Sequence, residues 1–271
     1  KAHEQGVRVL VLPELCITGY TCQDLFFQQT LLDGALNALK DITEHSAGLD
    51  MLIAVGCPLR FRGELYNCAV VMKDGKILGV VPKKFLPNYN EFYEKRHFTA
   101  APEGEYDIEL FGESVPFGLG LLFECRGTPE LVFAAEICED LWAAEPPSIS
   151  LALGGATLIA NLSASNETIG KDSYRRELVN SQSARLLCGY VYASAGSGES
   201  TQDLVFGGHD IIAENGIVLA ESKLYSTGLT VTEIDVQKLA SERRRNTSFV
   251  GGLRPGMRRI PFDMEIKPAE L

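Results

Sequence analysis

Residues 7–12 (VRVLVL) form a run too apolar for a strand with one wet face, and residues 51–56 (MLIAVG) form a second buried strand. A strand covered on both sides confines the chain to a layered fold, with further elements above and below its sheets. A third apolar run, residues 131–137, delivers a cysteine, Cys138, to its end, and Glu139 and Asp140 follow at once. The last residue of a buried strand projects into a crevice at the sheet edge, which suits a nucleophile. By itself Cys138 reads equally well as a small buried hydrophobe.

Other strand exits carry chargeable groups too. Glu14 closes the first run within Pro13-Glu14-Leu15, and Lys83 follows a strand at residues 76–81. Each alone reads as a surface residue, yet charged side chains beside the most apolar strands of a chain go inside only when paired. If the three strand ends converge, a glutamate can deprotonate the thiol and a lysine can stabilise an oxyanion, with the N–H of Glu139 as a second donor. That is the equipment of a cysteine amidase with Glu in the base role.

The remaining pattern alternates strands and helices. Helices are predicted at residues 23–45, from Pro146-Pro147 to Gly154-Gly155, and at 171–187 and 236–245. Further strands are expected at 65–72, 106–110, 118–123, 156–162, 189–193 and 229–234. Hairpins are expected at Asp74-Gly75 and Asn215-Gly216. Residues 88–102 form a long polar and aromatic loop able to cover a site. The start resembles the end of a helix, which suggests that a first strand is missing. Residues 246–271, rich in Gly, Pro and charge, read as a tail or linker.

The formal net charge of −11 and the absence of a basic stripe argue against nucleic acid. Seven scattered cysteines and no signal peptide fit a reduced, cytoplasmic protein. There is no CxxC pair or HExxH helix to suggest a metal, and no apolar run of membrane-spanning length.

Pro13-Glu14-Leu15 with Thr18-Gly19-Tyr20, Lys83-x-x-Leu86-Pro87, and Glu136-Ile137-Cys138-Glu139-Asp140 resemble the three signature segments of the nitrilase superfamily. Residues 83–98 (KKFLPNYNEFYEKRHF), 161–170 (NLSASNETIG) and 189–201 (GYVYASAGSGEST) narrow the resemblance to the glutaminase domains of bacterial glutamine-dependent NAD synthetases. The resemblance implies an α/β fold, a four-layer αββα sandwich over residues 1–245, with 246–271 leading toward an absent synthetase domain. It also implies a Glu14-Lys83-Cys138 triad acting on L-glutamine. A second glutamate follows the lysine in many relatives; Glu94 fits that position better than Glu91. Tyr89, Phe92, Glu139, Ser165 and Lys171 would hold the substrate, with Lys171 meeting its carboxylate where relatives more often use arginine. No cofactor is implied for this domain, ATP and Mg belonging to the synthetase part, whose Ser-Gly-Gly phosphate loop is absent here. The resemblance further implies a homo-oligomer, with Trp142 and residues 146–152 offering an apolar contact face. The alternatives are a free-standing amidase acting on a small ω-amide, and a catalytically silent oligomerisation module.

Overall fold

The structure is a computed structural model that describes residues 1–252 and 254–266. Its two sheets lie face to face. The first has the order β1 (Val9–Val11), β2 (Leu52–Phe61), β3 (Glu64–Lys73), β4 (Lys76–Pro82), β6 (Glu113–Phe117), β5 (Tyr106–Leu110). The second has the order β12 (Ile217–Glu221), β11 (Ile211–Glu214), β10 (Gly189–Ser194), β9 (Leu158–Ser163), β8 (Val132–Ile137), β7 (Leu121–Cys125), β13 (Arg258–Phe262). Within the sheets β1 pairs parallel with β2, and β8, β9 and β10 run parallel in sequence.

Alternate residues of each central strand explain the layering. Leu52, Ala54, Ala69, Val71 and Val81 of the first sheet meet Phe133, Ala135, Leu158 and Ala160 of the second in one continuous core. The residues between them face outward: Ile53, Val55, Val70 and Val80 pack beneath α1 (Gln29–His45) through Ala35 and Leu39. On the far side Ala134, Ile159, Tyr190 and Tyr192 pack against α3 (Pro147–Leu153) and α4 (Lys171–Leu186). Period-two strands buried on both faces therefore produce the expected αββα sandwich.

Both expected hairpins form. Asp74 and Gly75 have φ of 49° and 77°, and Asn215 and Gly216 have 45° and 84°. Positive φ at both turn positions is the type I′ requirement that Asn-Gly and Asp-Gly satisfy at least cost.

Several expectations are corrected. Residues 23–45 form a 3₁₀ turn, Gln23–Phe27, and then α1, since Gln28 is extended. The strand expected at 118–123 starts later and runs on to Cys125, because the chain crosses between sheets at residues 118–120 before β7, and β6, which ends at Phe117 ahead of that crossing, was not expected. Residues 229–234 join no ladder; Leu229 and Val231 are exposed, and Ile234 packs over Gly189. Apolar content suits an extended segment but cannot supply a strand edge to pair with.

The reading of 246–271 as a tail is corrected for its central part. Residues 258–262 form β13, parallel to β7, and Phe262 and Met264 enter the inter-sheet core with Ile260 and Ile266 packed against it. That alternation was masked by interleaved Arg, Pro, Asp and Glu; residues 253 and 267–271 lie outside the described ones. The face proposed for a subunit contact is largely used internally, since Pro147, Leu151 and Ala152 of α3 are buried against the second sheet.

Candidate active site

Three strand exits meet between the sheets. Glu14 lies in the turn after β1, Lys83 directly after β4, and Cys138 directly after β8. Glu14 and Lys83 are wholly buried and Cys138 nearly so. The Pro13–Leu15 turn lies so close on β2 that a Cβ at Gly56 would collide with the Leu15 nitrogen and the Pro13 carbonyl. Only glycine permits this approach, which carries Glu14 inward.

Lys83 Nζ donates to Glu14 Oε1 and to Glu94 Oε1, each at 2.6 Å. An ammonium has three donors, so one remains free. Glu14 Oε1 also accepts from Asn67 Nδ2 at 2.6 Å, and its Oε2 from the Ala164 N–H at 2.9 Å. The Tyr20 hydroxyl donates to Glu94 Oε1 at 2.8 Å. Burial opposes the charge on Lys83, but the Glu14 and Glu94 carboxylates outweigh it and raise its pKa well above that of a free lysine. Burial pushes the Glu94 carboxyl up to about 7, with Lys83 opposing and Glu14 adding to the rise. Glu91 stands apart: its Oε1 accepts from Asn166 Nδ2.

Cys138 has φ 42° and ψ −99°, a strained conformation for a residue with a side chain and one that aims the thiol away from the strand. Its N–H donates to Leu162 O at 3.0 Å and Asn161 Oδ1 at 3.1 Å, so that amide is already used. The next amide, Glu139, opens the short helix α2 (Glu139–Trp142). Burial, then the Glu14 carboxylate, push the thiol up to about 12, with Lys83 opposing. The resting group is therefore a thiol that needs a base when it attacks.

Cys138 lies at the wall of a cleft of about 420 Å³ that is also lined by Tyr89, Phe92, Glu139, Ser165 and Lys171, so every residue expected to hold a substrate borders one space. The Tyr89 hydroxyl donates to Glu139 Oε1 at 2.8 Å. Lys171 Nζ lies 5.1 Å from the Trp142 ring centroid and 5.7 Å from that of Phe92, and hydrogen-bonds Asn166 Oδ1. Ser165 is held by Arg175, whose buried guanidinium donates to its Oγ, to Asn166 O and to Glu167.

Sequence reasoning missed Tyr20, Asn67, Asn161 and Arg175. Asn67 and Asn161 had a signal, a lone amide inside an otherwise apolar strand. Tyr20 stood in a signature segment with no sign of its partner 74 positions away, and Arg175 was one basic residue among several on α4. Among the described residues no cluster of His, Cys, Asp or Glu is arranged to hold a metal ion.

Comparison with known proteins shows the family. The carbon-nitrogen hydrolase family profile matches residues 1–244. The glutamine-dependent NAD(+) synthetase of Mycobacterium tuberculosis is 44% identical over 97% of this chain and 40% of its own length. The crystal structure of such a synthetase from Cytophaga hutchinsonii superposes with a TM-score of 0.75 at 32% identity, over 85% of this chain and 37% of that one. An amidase from Nesterenkonia shares the fold at 19% identity with a TM-score of 0.65, over 90% of this chain and 87% of its own. The chain thus spans about 40% of the length of the synthetases it matches. With the profile spanning nearly the whole sandwich and all three strand-end residues brought together, this chain belongs to the carbon-nitrogen hydrolase family.

Proposed function

We propose that the chain hydrolyses the side-chain amide of L-glutamine to glutamate and ammonia through a cysteine thioester. The ammonia would pass to a synthetase domain, as part of ATP-dependent NAD synthesis, in a protein longer than this chain. The observation that carries the reading is a buried Glu-Lys-Glu centre beside a thiol, at a cleft bearing one cation and one carboxylate. Lys171 suits the α-carboxylate of an amino acid and Glu139, with Tyr89, its ammonium. Phe92 and Trp142 would flank the methylenes.

In this mechanism Cys138 Sγ attacks the amide carbon while Glu14 takes the thiol proton. The third N–H of Lys83 and the free N–H of Glu139 receive the developing oxyanion. Glu14 returns its proton to the leaving nitrogen, the C–N bond breaks, and ammonia departs from a glutamyl thioester. Water then attacks the thioester carbon as Glu14 takes its proton. Collapse expels the thiolate, which regains that proton, and releases glutamate. Glu94 keeps Lys83 in place and charged. No step uses a cofactor; ATP and Mg act in the synthetase domain. A cytoplasmic homo-oligomer is part of the proposal; among the described residues, no helix is long and apolar enough to cross a membrane.

Ammonia release from L-glutamine, asparagine and α-ketoglutaramate tests the reading. Selective turnover of glutamine that vanishes in Cys138→Ala supports it. Preference for α-ketoglutaramate would show a free-standing amidase. A thiol inert to every amide and to a glutamine-analogue electrophile would leave an oligomerisation module.

A further inference from the structure

Two carboxylates flank Cys138 two residues away on either side, and both are buried: Glu136 and Asp140. Their partners differ. Glu136 accepts from the Tyr190 hydroxyl and from the Ser148 N–H at 2.8 Å, ties that stay within the second sheet and its covering helices. Asp140 reaches across the sandwich. Its Oδ1 accepts from the N–H groups of Lys84 at 3.1 Å and Phe85 at 2.8 Å, the two residues after Lys83. Its Oδ2 accepts from the N–H of Ile137 at 3.0 Å, the residue before Cys138.

We propose that Asp140 is a positioning residue for the hydrolysis, one carboxylate that fixes the Lys83 backbone against the strained Cys138 turn. The inference takes its reaction from the glutaminase reading, but its geometry stands without it. Lys83 leaves the first sheet and Cys138 the second, and no ladder joins the two sheets. Side chains facing each other across an apolar interface slide more readily than hydrogen-bonded strands, so the separation of ammonium and thiol needs a polar tie. Asp140 supplies one with both ends on backbone. It also helps hold Cys138 at φ 42°, because the Ile137 N–H is fixed on one side while Asn161 and Leu162 take the Cys138 N–H on the other. Strain of this kind persists only where the surroundings over-determine it. An ionised carboxylate is acceptor-only and matches three converging donors; a neutral amide cannot, since its NH₂ would confront at least one of them. Burial, then Glu136, push the Asp140 carboxyl up to about 8, while these backbone donors work to keep it charged.

The test compares Asp140→Asn with Glu136→Gln, each the exchange of a buried carboxyl for an amide of the same shape. In Asp140→Asn, kcat for glutamine falls on the order of 10²-fold while KM stays within about threefold, as expected for a misplacement of about 1 Å. Alkylation of Cys138 by chloroacetamide, read by peptide mass spectrometry, slows at least about tenfold. Glu136→Gln, at similar loss of melting temperature, keeps both rates within about threefold. Cys188, wholly buried in the outer core, remains unlabelled in any folded variant. If it labels in Asp140→Asn, Asp140→Glu is scored instead, because it keeps the carboxyl while displacing the oxygens by one methylene. Equal losses in the two amide variants, or unchanged rates in the folded Asp140 variant, overturn the proposal. Should the wild-type chain not hydrolyse glutamine, the glutaminase reading fails and the alkylation comparison alone decides the role of Asp140.

Discussion

Replacing Lys83 by Met removes a charge at nearly constant volume from a site where two carboxylates each approach it to 2.6 Å. Removing one partner of a buried ion pair costs about 3–5 kcal/mol, because the remaining charge is left uncompensated. For a domain of this size that corresponds to a fall in melting temperature on the order of 10 °C near pH 8. The deficit depends on pH in a defined direction. Burial first of all holds the Glu94 carboxyl above its ordinary value of 4.5, at about 7. Stability linked to a raised carboxyl pKa is present below the unfolded value and lost as pH rises through the folded one. Without the opposing lysine that folded value rises further, so the deficit of Lys83→Met is largest above pH 7 and shrinks toward pH 5. Differential scanning calorimetry of wild type, Lys83→Met and Lys84→Met across that range measures it. Lys84 lies partly exposed over the Phe85 ring at 4.7 Å, and its loss shifts the melting temperature by no more than about 2 °C. Ammonia release is lost in the first variant and retained in the second. The reasoning is refuted if Lys83→Met melts like the wild type, or if its deficit grows on acidification.

Three further outcomes follow from the site. With its thiol pushed up to about 12, free Cys138 alkylates with iodoacetamide at a rate still climbing at pH 9.5, and a plateau near pH 8 would show a preformed thiolate. Lys171→Met raises KM for glutamine roughly 10- to 100-fold with a smaller change in kcat, because it removes a charge facing the substrate's far end; steady-state kinetics showing the reverse split would place Lys171 in the chemistry. Arg243 donates to the carbonyls of Ala156, Leu186 and Leu187 at 2.6–2.9 Å, where α3 and α4 end, so Arg243→Met lowers stability by about 2–3 kcal/mol in urea unfolding while leaving Cys138 alkylation unchanged.

The sequence by itself determined the layers and the chemistry at the strand ends. Runs such as 51–56 and 131–137 bury both faces whatever their neighbours, and side-chain alternation then fixes which residues meet in the middle. Glu14, Lys83 and Cys138 were legible because a charge or thiol at the exit of an apolar strand has few places to go. The 88–102 loop held two glutamates at similar spacing, and only folding placed Glu94 on Lys83 and Glu91 on Asn166. Pairing partners were likewise invisible: residues 229–234 looked like a strand and found no ladder, whereas 258–262 looked like a linker and took the open edge of β7. Tyr20 and the Asp140 tie depend on contacts between residues far apart in the chain, 74 positions for Tyr20 and Glu94 and 55 for Phe85 and Asp140. Periodicity records how each segment is solvated, but which distant group satisfies a buried donor or acceptor is settled only when the two sheets close on one another.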